Sequence, residues 1–279
     1  MISIVVVTHN RLELLRRCVE NVLGRTSELT RQIVIWDNAS ADGTREYLDQ
    51  LDDPRIEVVH HHENIAMNAR RRALALATED YLIEMDDDIV DAPANWDRAL
   101  LDGYLRLCNF ARLAPFLEYD PADTASRFLR YMREETGALP LKVVKGIRII
   151  EGNPGGGCTM ISREVYERVG GYREHRRYPY WRPERPLGRK IKKLGLRSGF
   201  LADLEVRHAG GQSEVPQPKI AYYHYERKLR RRRDAVKRAL LALPLFPRLN
   251  ARFMWFDPPA PPYDPVTYDP DARGRTKSS

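Results

Sequence analysis

Ile2-Ser-Ile-Val-Val-Val7 runs directly into Thr8-His-Asn-Arg-Leu-Glu-Leu-Leu15, and the join between the two decides the fold. The first piece is a short apolar run bounded by polar residues, the pattern of a strand buried on both faces. The second starts a helical spacing, with Leu12, Leu15, Val19, Val22 and Leu23 on one stripe. The unit then repeats. Ile33–Trp36 is a second buried run, and Thr44–Leu51 is a short helix behind the turn Asp42-Gly43. Ile56–Val59 predicts a third strand, Ala66–Ala77 a helix and Tyr81–Met85 a fourth strand. Strand and helix alternating at this pace imply right-handed crossovers and a parallel α/β sheet with helices on both faces.

Beyond Asp88 the spacing is less regular. Trp96–Leu107 and Asp123–Glu135 read as helices, Phe110–Phe116 as a strand and Lys142–Ile150 as β-rich. Gly152-Asn-Pro-Gly-Gly-Gly157 leads into a strand at Cys158–Ile161, and a short helix follows near Arg163–Val169. After a Pro/Arg/Tyr loop to Pro186 come a helix at Leu187–Leu194 and a strand near Ser198–Leu201. This half reads as α+β built on the edge of the first and sharing its sheet.

Bulk properties exclude several classes. A chain of 279 residues with 43% hydrophobic and 30% charged residues buries a core and is not a disordered chain. The net charge of +7 is too mild to declare a nucleic-acid binder. Cys18, Cys108 and Cys158 are odd in number and widely spaced, so neither a disulfide scaffold nor a zinc ribbon is expected. The opening apolar run lacks the basic flank of a signal peptide, and Ala239–Phe246, broken by Pro244, is too short to span a membrane. A cytoplasmic protein is expected.

Asp86-Asp87-Asp88 follows the fourth strand directly, at the sheet edge where open α/β sheets bind ligands. Hard divalent cations take carboxylate oxygens and keep phosphate oxygens and waters as further ligands. Asp86 and Asp88 can therefore present one acid to a ribose and one to a metal, the alternative being a solvated loop or cap. Asp37 ends the second run, where a carboxylate either accepts from a base imide N–H or caps the next helix, as Asp42 is expected to do. In the turn after the first strand His9 can stack on a base and Arg11 can face a diphosphate. The side chains of His60-His-His62 alternate across a strand, which argues against a shared metal and for a solvated strand end.

Taken in order, Val5–Arg11, Asp37–Thr44, Asn64 through Arg71 and Asp86-Asp-Asp88 resemble the family-2 glycosyltransferases of the GT-A fold. Gly155–Tyr172 is similar to that family's acceptor-side segment, and the likeness runs from residue 2 to residue 211. The ordered series is specific; no single member of it is. It implies a GT-A, Rossmann-like fold with a mostly parallel central sheet flanked by helices. The implied reaction is an inverting, metal-dependent transfer from a nucleotide-diphosphate sugar to a hydroxyl acceptor, with UDP favoured and dTDP or GDP as alternatives. Mg²⁺ or Mn²⁺ neutralises charge on the leaving group in such a reaction. The donor-side residues are then Thr8, His9, Arg11, Asp37, Asn64, Arg71, Asp86 and Asp87, and the metal-side residues are Asp86, Asp88 and His208. For His208, in Val206-Arg-His-Ala-Gly-Gly211, a purely structural role is the alternative.

The family's general base lies in an acid pair before a basic helix ending in glycine. Counting back from Lys190-Ile-Lys-Lys-Leu-Gly195 places it on Glu184, with Pro183 and Pro186 where two further acids usually stand. Ion pairing of Glu184 to the flanking arginines is the alternative, and Glu151 and Glu174 are reserves. Ala66 and Leu74 stand where the family usually has glycine. The thinned acids motivate a second reading, a non-catalytic member that binds a nucleotide sugar or a polyanion. A third, a sugar-phosphate nucleotidyltransferase, wants a glycine-rich loop after the first strand, and Thr8–Glu13 has no glycine.

The expected organisation is a nucleotide-sugar-binding half at 1–88 and an acceptor-binding half of the same domain at 89–215. A basic amphipathic helical extension at 216–256 and a Pro-rich tail at 257–279 follow. Residues 163–197 hold twelve basic and four acidic groups and residues 219–238 nine and two, which leaves the rest of the chain acidic. Arg173, Arg176, Arg177, Arg182 and Arg185 near the expected acceptor cleft suggest an anionic acceptor, such as a lipid-linked diphosphate or acidic glycan. The helix expected at Tyr222–Leu243, with aromatic Phe253–Phe256 beyond it, suits either an anionic membrane surface on the inner face or docking on the core. Nucleic acid is not expected as a partner, since no recognised motif accompanies the charge.

Overall fold

Alternating side chains on β1 (Ile2–Thr8) feed two separate cores. Ile2, Ile4 and Val6 pack on one face of the sheet with Leu15, Val19 and Val22 of α1 (Leu12–Arg25). Val5 faces the other way, toward Ala69 and Ala73 of α3 (Asn68–Leu74). The same alternation sends Ile33 and Ile35 of β2 (Thr30–Asn38) to the first core and Val34 and Trp36 to the second. Both faces are apolar, so the strand reads as a continuous hydrophobic run. The computed structural model describes residues 1–119, 141–175 and 183–209. It also describes Lys228, Arg232, Ala235, Val236, Ala239 and Leu240, which are helical. The helix expected at 123–135, the remainder of Tyr222–Leu243, Phe253–Phe256 and the tail lie outside the described residues.

The first half carries β1, α1, β2, α2 (Thr44–Leu48), β3 (Ile56–His61), α3, β4 (Tyr81–Asp86), β5 (Ile89–Asp91) and α4 (Trp96–Arg106). The second carries β6 (Phe110–Tyr119), β7 (Leu141–Val144), β8 (Ile147–Glu151), β9 (Cys158–Ser162), α5 (Arg163–Arg168), α6 (Glu184–Lys193) and β10 (Arg197–His208). One sheet runs through both halves in the order β3-β2-β1-β4-β9-β6-β10-β8-β7, with β5 pairing β10. It is parallel from β3 to β4. Beyond β4 it is mixed: β9 runs antiparallel to β4, and β10 runs parallel to β6. Among the described residues no helix is long and apolar enough to cross a membrane.

The strand expected near Ser198–Leu201 extends to His208. Its register against β6 jumps between Leu201 and Glu205, where Leu201 faces Pro115. Proline has no N–H to give the ladder, so the strand bulges there and the apolar alternation is interrupted. The continuation carries His208 to β5, where it pairs with Ile89, and the Ala209 N–H donates to the Asp88 carbonyl at 2.8 Å.

Candidate active site

Strand β4 ends at Asp86, and the turn into β5 holds Asp87 and Asp88, each only 3% exposed. Buried carboxylates need partners. Arg11, just ahead of α1, supplies them with its forked guanidinium, reaching Asp87 Oδ1 and Asp88 Oδ2 at 2.6 Å each. The Thr8 hydroxyl donates to Asp87 Oδ2 at 2.7 Å. Burial still pushes the Asp87 carboxyl up to about 7, helped by Asp88 and Asp86 and opposed by Arg11. Asp86 goes the other way, to about 2, because Arg70, His208 and Arg11 outweigh the burial that would raise it.

His208 closes the site from β10. Its Nε2 lies 3.0 Å from Asp88 Oδ1 and 3.5 Å from Asp86 Oδ2. One ligand atom from each of Asp86, Asp88 and His208 falls within 4.8 Å of the others. Asp88 Oδ1 is buried and accepts no hydrogen bond among the described residues, so the His208 approach is a charge contact only. Burial would lower the His208 pKa, but the hydrogen bond to Asp86 and the charges of both aspartates raise it. An orphaned buried oxygen facing a second acid and an imidazole fits a divalent cation. Gly157 borders this cluster; a Cβ there would come within 2.9 Å of Leu117 and 3.5 Å of Asp86 Oδ2.

Arg70 is the site residue that sequence reading missed. Its guanidinium pairs with both Glu84 and Asp86, and the Tyr172 hydroxyl holds the other oxygen of Glu84. A Cβ on Gly156 would overlap the guanidinium, so the glycine-rich segment makes room for it. The signal lay in the spacing. Arg70 comes four residues after Ala66 and four before Leu74, both buried, and therefore on the inner stripe of α3. Arg71, the position singled out from the sequence, points outward with its side chain 55% exposed and meets Glu174 at 3.3 Å.

Asp37 is the penultimate residue of β2 and is 2% exposed. Its Oδ1 accepts the Ser40 N–H at 2.9 Å, and its Oδ2 lies 3.1 Å from His60 Nδ1. His60 is thus engaged on β3 and not part of a solvated strand end: burial in register with Asp37 overrides the polar look of the triplet. His61 faces the other side and stacks on Trp36, with ring centroids 5.1 Å apart. Asn38 donates to Asn64 Oδ1 at 2.8 Å, and that oxygen also accepts the Ala66 N–H at 2.8 Å. Ala66 sits at φ 50 and Ala39 at φ 65, left-handed conformations that glycine adopts freely. His9 Nδ1 is buried and has no hydrogen-bond partner among the described residues. Asp42 is not the N-cap residue of either neighbouring helix, but its carboxylate accepts from the first N–H of each, Thr44 at 3.2 Å and Leu12 at 3.0 Å.

Glu184 is the first residue of α6, half-buried, and its charge helps to hold Arg70 protonated after those of Glu84, Asp86 and Tyr172. It therefore belongs to the same charge network as Asp86. Arg185 is described beside it, whereas Arg176, Arg177 and Arg182 lie outside the described residues. The two reserve acids are committed elsewhere. Glu174 is bound by Arg72 and Arg71, and the Arg72 hydrogen bond lowers its pKa. Glu151 pairs with Arg197 and with Lys142 at 3.1 Å, opposite Gly199 at the far end of β10 from His208.

Residues 3–170 match the family described as "Glycosyl transferase family 2". Over 90 residues the chain is 33% identical to WcaA of Escherichia coli (strain K12), named for colanic acid biosynthesis glycosyl transfer; the match covers 32% of each protein. Among solved structures it is similar to a mannosyltransferase, PcManGT from Pyrobaculum calidifontis, in complex with GDP-Man and Mn²⁺. The TM-score is 0.53 at 20% identity, over 77% of this chain and 57% of that one. It is also similar to GalNAc-T7 with UDP, GalNAc and Mn²⁺, at a TM-score of 0.57 and 18% identity, over 78% of this chain and 46% of that one. The chain thus spans about a third of the curated relative and about half of each structure. At these identities the structural likeness shows the fold, a GT-A fold shared with glycosyltransferases.

Proposed function

This chain belongs to glycosyl transferase family 2, and from that premise we propose that it transfers a sugar from a nucleotide-diphosphate sugar to a hydroxyl acceptor, with inversion. The observation that carries the reading is the convergence of Asp86, Asp88 and His208 within 4.8 Å at the carboxyl edge of β4. These three residues would hold Mn²⁺ or Mg²⁺, and a cation there stabilises negative charge on a departing nucleoside diphosphate. The complexes of PcManGT with GDP-Man and of GalNAc-T7 with UDP, both with Mn²⁺, support the same class of donor.

The chain's own residues divide the work. Arg11, paired with Asp87 and Asp88, and Arg70, paired with Glu84 and Asp86, offset part of the negative charge of the acidic cluster, so that a polyanionic donor can approach it. Asp37, with Asn64 on the neighbouring loop, reads the nucleobase, while Thr8, His9, Asp86 and Asp87 line the donor side. Glu184, at the start of α6, takes the proton from the acceptor hydroxyl as its oxygen attacks. Arg185, next to that acid in the chain, and Arg173 favour an anionic or lipid-linked acceptor.

The decisive experiment incubates the protein with UDP-, dTDP- and GDP-sugars and Mn²⁺, and follows release of free nucleoside diphosphate with and without acceptor mixtures. Metal-dependent release from one donor class is expected. Tight donor binding with no turnover in any mixture would instead favour a non-catalytic nucleotide-sugar-binding protein.

A further inference from the structure

We infer that His60 is a positioning residue for Asp37, and that it biases the site toward nucleobases presenting a single imide N–H, uracil or thymine, over guanine. This deepens the proposed function and rests on Asp37 as the residue that meets the base. The geometry begins with register: Asp37 and His60 are direct partners on the parallel strands β2 and β3 and project to the same face. His60 Nδ1 lies 3.1 Å from Asp37 Oδ2, and its Nε2 lies 2.9 Å from Asp49 Oδ1, just past the end of α2. The imidazole is therefore strung between two carboxylates. A ring nitrogen carrying a proton donates to the carboxylate it faces, so the ring is fixed in plane and position by the two acids.

The other oxygen of Asp37 is held as well, by the Ser40 N–H at 2.9 Å. With one oxygen accepting from Ser40 and the other set against His60 Nδ1, the carboxylate cannot rotate freely about its bond to follow a ligand. Each oxygen keeps acceptor capacity in one direction only. That suits one N–H between two carbonyls, the imide of uracil or thymine. Guanine presents two adjacent donors, which are best met by two freely aligned oxygens of one carboxylate. His61 does not share this role, since it turns to the opposite face and stacks on Trp36; His62 stacks on His61.

The test measures UDP and GDP binding by calorimetry, in the presence of Mn²⁺, for the full chain and for His60→Leu, His60→Gln and Asp37→Asn. The parent is expected to bind UDP more tightly than GDP. His60→Leu is expected to weaken UDP roughly tenfold while GDP changes less, so that the preference shrinks. His60→Gln, which keeps one donor, is expected to recover part of the loss. Mn²⁺ binding without nucleotide, read by electron paramagnetic resonance, is expected to stay unchanged in both His60 variants. If Asp37→Asn weakens UDP and His60→Leu does not, the inference is overturned while the base reading stands. If neither change affects UDP, the base reading itself fails. An equal loss of UDP, GDP and Mn²⁺ binding in His60→Leu would mark a folding effect and also overturn the inference, as would tighter binding of GDP than UDP by the parent.

Discussion

Asp88 Oδ1 and His208 Nε2 stand 3.0 Å apart, one on the turn after β4 and the other on the last residue of β10. The two halves of the sheet meet at this contact, and Asp86 completes the group from β4. A cation held here would tie the parallel half to the mixed half.

Removing either end of that contact should therefore be read first in metal binding. Asp88→Asn and His208→Ala are each expected to weaken Mn²⁺ binding about tenfold or more, measured by electron paramagnetic resonance of free Mn²⁺ with UDP present. Arg71→Ala, an exposed position paired only to Glu174 among the described residues, should leave it unchanged.

Glu184→Gln separates chemistry from binding. A general base contributes about 10²–10⁴-fold to rate, so kcat should fall within that range while the donor KM stays within a few-fold. Steady-state kinetics with a competent acceptor checks this. A comparable fall for Glu151→Gln, whose carboxylate is held by Arg197 and Lys142, would contradict the assignment.

Ala39 and Ala66 hold left-handed backbone at φ 65 and 50 beside Asn38 and Asn64. An L residue pays about 1–2 kcal/mol in that region, and glycine gives part of this back through the freedom of the unfolded chain. Ala39→Gly and Ala66→Gly should each stabilise by about 1 kcal/mol. Thermal unfolding should show a rise in Tm of a few degrees for each.

The three cysteines should differ sharply in reactivity. Cys108 is exposed with its Sγ 3.2 Å from Lys145 Nζ, and the hydrogen bond and charge of that lysine lower its pKa. Cys18 and Cys158 are buried, and burial raises theirs. Iodoacetamide should therefore modify one thiol in the native protein. Its rate should climb with pH to a midpoint below that of a free thiol, and Lys145→Met should move the midpoint upward. Mass spectrometry of the labelled peptides gives the count.

Much of the fold is written in local pattern. The runs Ile2–Val7, Ile33–Trp36 and Tyr81–Met85, with the amphipathic spacing after each, specify a parallel sheet because a strand buried on both faces has no polar side to show. The acids at the end of β4 are legible for the same reason: a charged run directly after a buried strand can only lie at the sheet edge. His60 and the full length of β10 required the tertiary structure. Arg70 and Arg71 are identical in type; the spacing from Ala66 and Leu74 marks Arg70 as inward-facing, but only the packing of α3 shows that it meets Glu84 and Asp86. His60 acquires its role from a partner on the next strand, and His208 reaches Asp88 through a strand whose pattern breaks at a bulge. Local periodicity encodes which surface a segment buries, whereas the register between distant segments decides which charges meet, and charge–charge contacts leave no period in the chain.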